Sequence, residues 1–218
     1  MSFSISEENY LKAIYHLQEG GGKVNTNALA EKLNAKAGSI TDMMKKLSAK
    51  GLLNYTPYYG FTLSGEGKKT ALTVIRRHRL WESFLAERLK FDWKEVHSIA
   101  EDLEHVSSKK LIDKLDEYLG FPQTDPHGDP IPDSRGRIRQ APSLALHELP
   151  LNQPAEILQV TNQSMEILEH LKEKKLSLGA RIEVKKVFSF DQSLEIKTKN
   201  KTVTITNELA KSLLVKKL

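Results

Sequence analysis

Proline is unevenly distributed along this chain, and its distribution limits where helices can form. Seven of the eight prolines fall between residues 121 and 154. Because proline lacks a backbone N–H and clashes with the preceding helical turn, residues 121–154 are predicted to form a connector without helix. The connector separates residues 1–120, which have helical periodicity, from residues 155–218, which alternate like strands.

The first 75 residues have the element order of a winged helix-turn-helix. A helix is predicted from Ser6 or Glu7 to the glycines at 20–22, followed by a short helix at 28–33 and a third at 39–50. Residues 52–63 then carry β-branched and aromatic side chains on both sides of a turn at 57–60, which is typical of a hairpin. A third helix in this arrangement can enter the major groove of DNA.

The third helix supplies the candidate DNA contacts. Ile40, Met44 and Leu47 form its predicted buried stripe, which leaves hydroxyl and amino groups to reach bases and phosphates. The predicted DNA-binding residues are Lys36, Ser39, Thr41, Lys45 and Lys46, together with Tyr58 of the hairpin. The alternative is a winged-helix module used for protein contact.

Residues 76–120 are predicted to form a helical domain with metal-ligand spacing. Four imidazole and carboxylate groups recur at i, i+4, i+7 and i+8 and would share one helix face. They are His97, Glu101, Glu104 and His105, and an upstream helix repeats the i, i+4 pattern with His78 and Glu82. Such groups, without thiolate, suit Mn, Fe(II), Co, Ni or Zn. The alternative is a solvated charged face with incidental histidines.

The same helices carry more apolar side chains than a small winged domain needs to cover. Trp81 and Phe84 are examples, and large apolar helical faces of this kind often bury against a second copy of the chain. Residues 76–120 are therefore interpreted as metal-binding and dimerising, although the same side chains would also serve as intrachain core. In the connector, the segment 125–129 offers two carboxylates and an imidazole, either as a ligand loop or as turn chemistry.

The predicted fold is mostly α with a β C-terminal domain. Alternating stretches at 157–161, 181–188, 194–198, 202–206 and 213–217, with one helix at about 164–174, indicate a small curved antiparallel barrel. The predicted divisions are 1–75 for the winged helix, 76–120 for the helical domain, 121–154 for the connector and 155–218 for an SH3-like barrel.

Composition narrows the class of protein. The chain has no cysteine, which excludes disulfides, thiolate metal sites and cysteine nucleophiles and is compatible with a reducing cytoplasm. No apolar run approaches a membrane span, and residues 1–8 are acidic rather than a basic leader, so a cytoplasmic protein without membrane contact is expected. The net charge of +5 is only weakly informative about nucleic-acid binding.

Five segments together resemble the diphtheria toxin repressor (DtxR) family of metal-activated transcription factors. They are residues 8–15 (ENYLKAIY), 77–82 (RHRLWE), 101–105 (EDLEH), 119–122 (LGFP) and 126–128 (PHG). Among the branches of this family, the manganese-responsive one with a C-terminal SH3-like domain is the most similar. The resemblance implies a homodimeric repressor that binds a palindromic double-stranded DNA operator when loaded with metal, and no small-molecule substrate.

The resemblance also implies a primary metal site on the helical domain and helix one. Its ligands would be Asn9, His78, Glu101, Glu104 and His105. The family places aspartate or methionine at the position of Asn9, and the manganese branch has glutamate where this chain has Lys12. Either the amide oxygen of Asn9 completes the site or the neighbouring Glu8 compensates for the lost charge.

A second metal site is implied near the connector. Its ligands would be Glu82, His97, Asp125, His127 and, from the C-terminal domain, Gln163. Iron-selective relatives carry cysteine at the position of Glu101 and methionine on helix one, and both soft ligands are absent here. Mn(II) is therefore the expected cofactor, with Fe(II) as the alternative and with Zn(II) or Co(II) able to bind in vitro.

Two other classes of protein could use the same residues. A metallohydrolase would use the His/Glu clusters to activate water, but no separate general base or substrate pocket is evident in the sequence. A metal-delivery or storage protein would not explain the winged helix. The protein is therefore expected not to be an enzyme.

Overall fold

A computed structural model describes residues 3–19, 22–56, 60–92, 95–106, 108–199 and 201–218. The predicted wing residue Tyr58 lies outside these described residues. The chain divides into two compact units. The first comprises residues 1–81, 98–118 and 132–138, and the second comprises 82–97, 119–131 and 139–218. The division into the predicted domains stays a prediction.

The first unit begins with the predicted winged helix. Its elements are α1 (Ile5–Glu19), α2 (Thr26–Lys32), α3 (Ala37–Ala49), β1 (Leu53–Thr56) and β2 (Gly60–Leu63). The antiparallel hairpin β1–β2 is joined to the helices by a bridge in which Val24 and Phe61 exchange backbone hydrogen bonds of 3.0 Å. The buried core includes Leu11, Leu29, Ile40, Met44, Leu47 and Phe61, so the predicted stripe on α3 is confirmed.

Local chemistry explains where these helices begin and end. The Asn25 side chain accepts a 2.8 Å hydrogen bond from the backbone N–H of Ala28, which caps α2 as predicted. Gly51 has φ +71°, the left-handed conformation that glycine adopts readily after a helix. Two starts were predicted two residues too late, because α2 begins at Thr26 and α3 begins at Ala37. The first turn of α3 includes Gly38, an exposed glycine and a poor helix former.

Three further helices follow the hairpin. They are α4 (Gly65–Glu87), α5 (Val96–Leu103) and α6 (Lys109–Tyr118). The second and third are shorter than the predicted ranges of 92–106 and 107–119. Residues Glu104 and His105 lie just past the end of α5, although the N–H of Glu104 still donates to the carbonyl of Ala100 at 2.8 Å.

The second unit contains a six-stranded antiparallel sheet with strand order β3-β8-β4-β5-β6-β7. The strands are β3 (Leu144–Ala145), β4 (Pro154–Val160), β5 (Arg181–Val187), β6 (Leu194–Thr198), β7 (Thr202–Ile205) and β8 (Leu213–Lys217). Register shifts between Ile157 and Gln159 and between Val184 and Lys186 mark bulges, which bend strands into the predicted curved form. The apolar core of this unit lies between the sheet and helix α7 (Met165–Lys174).

Three features of this unit were not predicted, and the first is the two-residue strand β3. Helix α8 (Asn207–Lys211) is a second helix, capped by the Thr206 hydroxyl, which accepts a 3.2 Å hydrogen bond from the N–H of Leu209. The connector was expected to contain no helix, but Leu146–Glu148 form one 3-10 turn directly after β3. Both segments are too short to show helical periodicity, and they are held by buried Leu146 and Leu209.

Among the described residues, no helix is long and apolar enough to cross a membrane.

Candidate metal centres and DNA-binding surface

The four candidate ligands at i, i+4, i+7 and i+8 around α5 differ sharply in burial. Glu104 is 1% exposed, whereas Glu101 and His97 are 53% and 52% exposed at their side chains. Glu104 pairs with His78, while His97 pairs with Glu82. The spacing therefore predicts metal-ligand groups on this helix, but not their division between two clusters.

The first cluster, here called the Glu104 cluster, lies within the first unit and consists of Glu8, Lys12, Arg77, His78, Glu104 and His105. Lys12 Nζ donates to both carboxylate oxygens of Glu104, at 2.8 and 2.7 Å. His78 Nδ1 lies 2.6 Å from Glu104 Oε2. Three of the five predicted primary ligands, His78, Glu104 and His105, are thus brought together.

Helix α1 contributes Glu8 and Lys12 to this cluster. The two oxygens of Glu8 contact Arg77 Nη2 and His105 Nδ1, each at 2.7 Å. Among the described contacts to the cluster, α1 contributes these residues rather than Asn9, and Glu101 reaches Lys12 Nζ only at 3.7 Å. Because Glu8 and Lys12 stand at i, i+4 on α1, their shared face was readable from the sequence, but the contact of Lys12 with Glu104 was not.

The Glu104 carboxylate stays ionised despite its burial. Burial raises the pKa of Glu104, but the hydrogen bond to His78 and the nearby Lys12 ammonium outweigh that effect and lower the pKa below its ordinary value. A buried carboxylate held in this way needs a cation beside it. In this structure that cation is the Lys12 ammonium.

The second cluster lies within the second unit and is built on the connector loop 125–129. Asp125 Oδ1 accepts hydrogen bonds from the backbone N–H groups of His127 and Asp129, at 2.8 and 3.0 Å. Gly128 has φ +87°, and a Cβ at this position would overlap the backbone carbonyl of Leu158. The loop is therefore held by its own amides and by close packing on β4.

The loop brings two predicted ligands to a third on α4. Glu82, Asp125 and His127 are all buried, and each offers one ligand atom within 4.8 Å of the others. Carboxylate oxygens with an imidazole nitrogen suit a divalent cation such as Mn(II) or Fe(II), so the donor set fits the group that the sequence predicts. This group is here called the Asp125 centre.

The other two predicted ligands lie at the edge of the Asp125 centre. His97 Nδ1 is 3.1 Å from Glu82 Oε1. The Gln163 amide donates to Asp129 Oδ2 at 2.8 Å, so Gln163 contacts the loop through Asp129. Gln159 also donates to Asp129, and neither this residue nor the contact was predicted from the sequence.

The predicted recognition helix presents most of its DNA-contact candidates to solvent. Lys36, Ser39, Lys45 and Lys46 are exposed, and Thr41 is half-buried with its hydroxyl donating to the carbonyl of Ala37 at 3.1 Å. Lys46 Nζ also lies 3.1 Å from the buried carboxylate of Glu7 on α1, which Lys50 contacts at 2.6 Å. This link between α1 and α3 was not predicted from the residue pattern.

Comparison with known proteins accounts for most of the chain. Residues 2–61 match the family described as the iron dependent repressor, N-terminal DNA binding domain. Residues 64–133 match the iron dependent repressor, metal binding and dimerisation domain, and residues 144–217 match the FeoA domain. The matched segments follow the same order as the predicted winged helix, helical domain and barrel.

Individual relatives agree with these matches. The iron-dependent repressor IdeR of Mycobacterium tuberculosis (strain ATCC 25618 / H37Rv) is 28% identical over 226 residues, covering 97% of this chain and 96% of the relative. The transcriptional regulator MntR of Oceanobacillus iheyensis is 33% identical over 120 residues, covering 55% of this chain and 81% of the relative.

The fold also has a close match among solved structures. A structure described as a manganese-dependent transcriptional repressor in complex with manganese superposes with a TM-score of 0.89 and 32% identity, covering 97% of this chain and 100% of that chain. These relatives are transcriptional repressors or, for MntR, a transcriptional regulator, rather than enzymes. The chain therefore belongs to the diphtheria toxin repressor (DtxR) family of metal-dependent transcriptional repressors and carries a FeoA domain.

Proposed function

We propose that this repressor uses Mn(II) as its co-repressor, with Fe(II) as the alternative, and that the Asp125 centre binds it. The observation that carries this proposal is the buried group of Glu82, Asp125 and His127, whose ligand atoms lie within 4.8 Å of one another. These three side chains offer carboxylate oxygens and an imidazole nitrogen, and the chain has no cysteine that could add a thiolate. Zn(II) and Co(II) are expected to bind such donors in vitro.

The groups around the Asp125 centre would position its ligands. The backbone amides of the loop hold the Asp125 carboxylate, while His97 and Gln163 border the centre through Glu82 and Asp129. A bound divalent cation would supply the positive charge that two buried carboxylates require. The predicted primary centre at Asn9, His78, Glu101, Glu104 and His105 stays a prediction, because Lys12 occupies part of it.

The DNA-binding part of the proposal rests on α3. Exposed lysines bind phosphates of any sequence, whereas hydroxyl groups in the major groove can read base edges. We assign the first role to Lys36, Lys45 and Lys46 and the second to Ser39 and Thr41. A homodimer would present two copies of α3 to a palindromic operator whose half-sites are separated by whole helical turns. This function would be carried out in the cytoplasm.

Metal and operator are proposed to act through linkage. If both ligands favour the same conformer of the dimer, each raises the affinity of the protein for the other. A promoter-fragment library measured by fluorescence anisotropy at one fixed salt concentration tests this. We expect operator binding at least about tenfold tighter with Mn(II) than with chelator, which corresponds to a coupling of 1.4 kcal/mol.

The choice of metal is tested by the same titration with Fe(II), Zn(II) and Co(II). Asp125→Asn, which removes a charge from the Asp125 centre, should lose most of the metal effect on DNA binding. Equal affinity for the operator with Mn(II) and with chelator would contradict the co-repressor proposal. Salt must be held constant, because phosphate contacts make every DNA affinity salt-dependent.

A further inference from the structure

The Lys12 ammonium lies where the family resemblance expects a metal ion. It donates to both oxygens of Glu104 at 2.8 and 2.7 Å, and its side chain is only 14% exposed. Charge-assisted hydrogen bonds of this kind are among the strongest available to a side chain. The position therefore suits a cation. In this chain the cation is the ammonium group of the Lys12 side chain.

The charges of the Glu104 cluster already balance. Two buried carboxylates, Glu8 and Glu104, contact two cations, Arg77 and Lys12, so the formal charge is −2 + 2 = 0 when both imidazoles are neutral. Each carboxylate also contacts an imidazole, Glu8 that of His105 and Glu104 that of His78. A divalent cation could enter only if the ammonium left a nearly buried carboxylate, which is costly.

The same contacts join α1 to the helical segment behind it. Lys12 and Glu8 lie one turn apart on α1, and their partners lie on α4 and just beyond α5. The ion pairs of Lys12 and Glu8 thus make the connection that a metal bound at this position would make.

We propose that Lys12 is a built-in cation that holds the Glu104 cluster in place of a metal ion, so that Mn(II) binds only at the Asp125 centre. The second half of this statement rests on the proposed function. It follows that α1 is fixed to α4 by ion pairs, and that metal-dependent control passes through the connector loop.

Calorimetric titration of the full chain with Mn(II) tests the proposal through its stoichiometry. The wild-type protein should bind one ion per chain, whereas Lys12→Gln should bind two, because the His78, Glu104 and His105 donors become available. Lys12→Arg keeps the cation and should bind one. The matched control is Lys114→Gln, which removes an exposed lysine paired with Glu117 at 2.6 Å and should also bind one.

Folding of each variant is checked by thermal unfolding in chelator. Two ions per wild-type chain would overturn the proposal, and so would one ion in a folded Lys12→Gln variant. Asp125→Asn, which removes a charge from the Asp125 centre, should strongly weaken Mn(II) binding, and one ion bound there with wild-type affinity would place the metal outside the Asp125 centre and overturn the proposal.

The wild-type titration needs no variant, so the proposal stays testable even if Lys12→Gln does not fold. The failure of the proposed function has a different signature. In that case the wild-type chain would bind no ion and the Lys12→Gln variant would bind one. This result would contradict the metal assignment of the Asp125 centre but still support Lys12 as the cation of the Glu104 cluster.

Discussion

Glu7 is a buried carboxylate on α1 whose charge is held by two lysines of the recognition helix and its end. Burial raises the pKa of Glu7, but hydrogen bonds from Lys50, the Ser4 amide and Lys46 outweigh it and lower the pKa from 4.5 to about 2. A carboxylate whose pKa is depressed by folding stabilises the folded state above its unfolded pKa. That stabilisation is lost as the pH falls from about 4.5 to about 2.

Replacing Glu7 by glutamine should therefore lower the free energy of unfolding at neutral pH. We expect a loss of about 1–2 kcal/mol, since two partly exposed lysines share the carboxylate. Urea unfolding at pH 7 and at pH 3 measures it, and the difference between variant and wild type should shrink at the lower pH. Glu31→Gln, on the exposed side of α2, is the control. An equal difference at both pH values would contradict the ion-pair explanation.

Residue types and their spacing predicted candidate donors in both clusters, but not the partners of these donors. His78, Glu104 and His105 were candidates because imidazole and carboxylate groups at helical spacing share one helix face and can bind one cation. The only signal for Lys12 was that the manganese branch of the family has glutamate at this position. Its contact with Glu104 joins residues 92 positions apart, and such contacts depend on how helices pack rather than on local spacing.

At the scale of an element, the connector loop shows why a single glycine is needed. Gly128 lies between the ligands of the loop and β4 in a left-handed conformation, and an added Cβ would overlap backbone atoms that cannot move freely. Gly128→Ala should destabilise the loop by about 2 kcal/mol or more.

Mn(II) titration of Gly128→Ala should show weaker binding at the Asp125 centre, because the variant displaces Asp125 and His127. Gly136→Ala is the matched control, since Gly136 also has positive φ but its added Cβ would meet only Leu72 side-chain atoms at 3.7 Å. Wild-type metal affinity in Gly128→Ala would mean that the loop does not bind the metal.

The recognition helix α3 carries two adjacent lysines with different surroundings. Both are exposed, but Lys46 also contacts the Glu7 carboxylate at 3.1 Å. Lys45→Ala should weaken binding to operator and to random DNA alike, and should reduce the slope of log K against log salt by about 0.9. Lys46→Ala should have a smaller effect, because its ammonium is already partly neutralised. Anisotropy at several salt concentrations measures both.

Lys109→Ala provides the control for these slopes, since Lys109 is 83% exposed on α6. Ser39→Ala should instead reduce discrimination between operator and random DNA with little change in the salt slope. If neither lysine variant changes the slope, the DNA-binding surface lies elsewhere on the winged helix.

Long periodic elements were predictable from the sequence, and short ones were not. Helix α1 and strands β6 and β8 were predicted within two residues of their ends, because each buries a continuous apolar face. Helix α8 and the 3-10 turn were missed because segments of five and three residues are too short for apolar residues to recur at helical spacing. These segments depend on caps and on the sheet beneath them.

For the whole molecule, linkage between metal and operator must act in both directions. If Mn(II) strengthens operator binding by a given factor, operator DNA must strengthen Mn(II) binding by the same factor, since both routes reach the same ternary complex. Calorimetric Mn(II) titrations with and without saturating operator should therefore show at least about a tenfold difference in metal affinity.

Random-sequence DNA at the same salt concentration is the control, because nonspecific phosphate contacts alone should produce a much smaller shift. Asp125→Asn should lose the reciprocal effect, whereas Lys12→Arg should keep it, since only the first variant alters the metal-binding centre of the connector. A factor for metal that differs from the factor for DNA beyond experimental error would show that a further equilibrium, such as dimer formation, contributes to the coupling. Repeating both titrations at several protein concentrations separates the two cases, because only the dimerisation step changes with concentration.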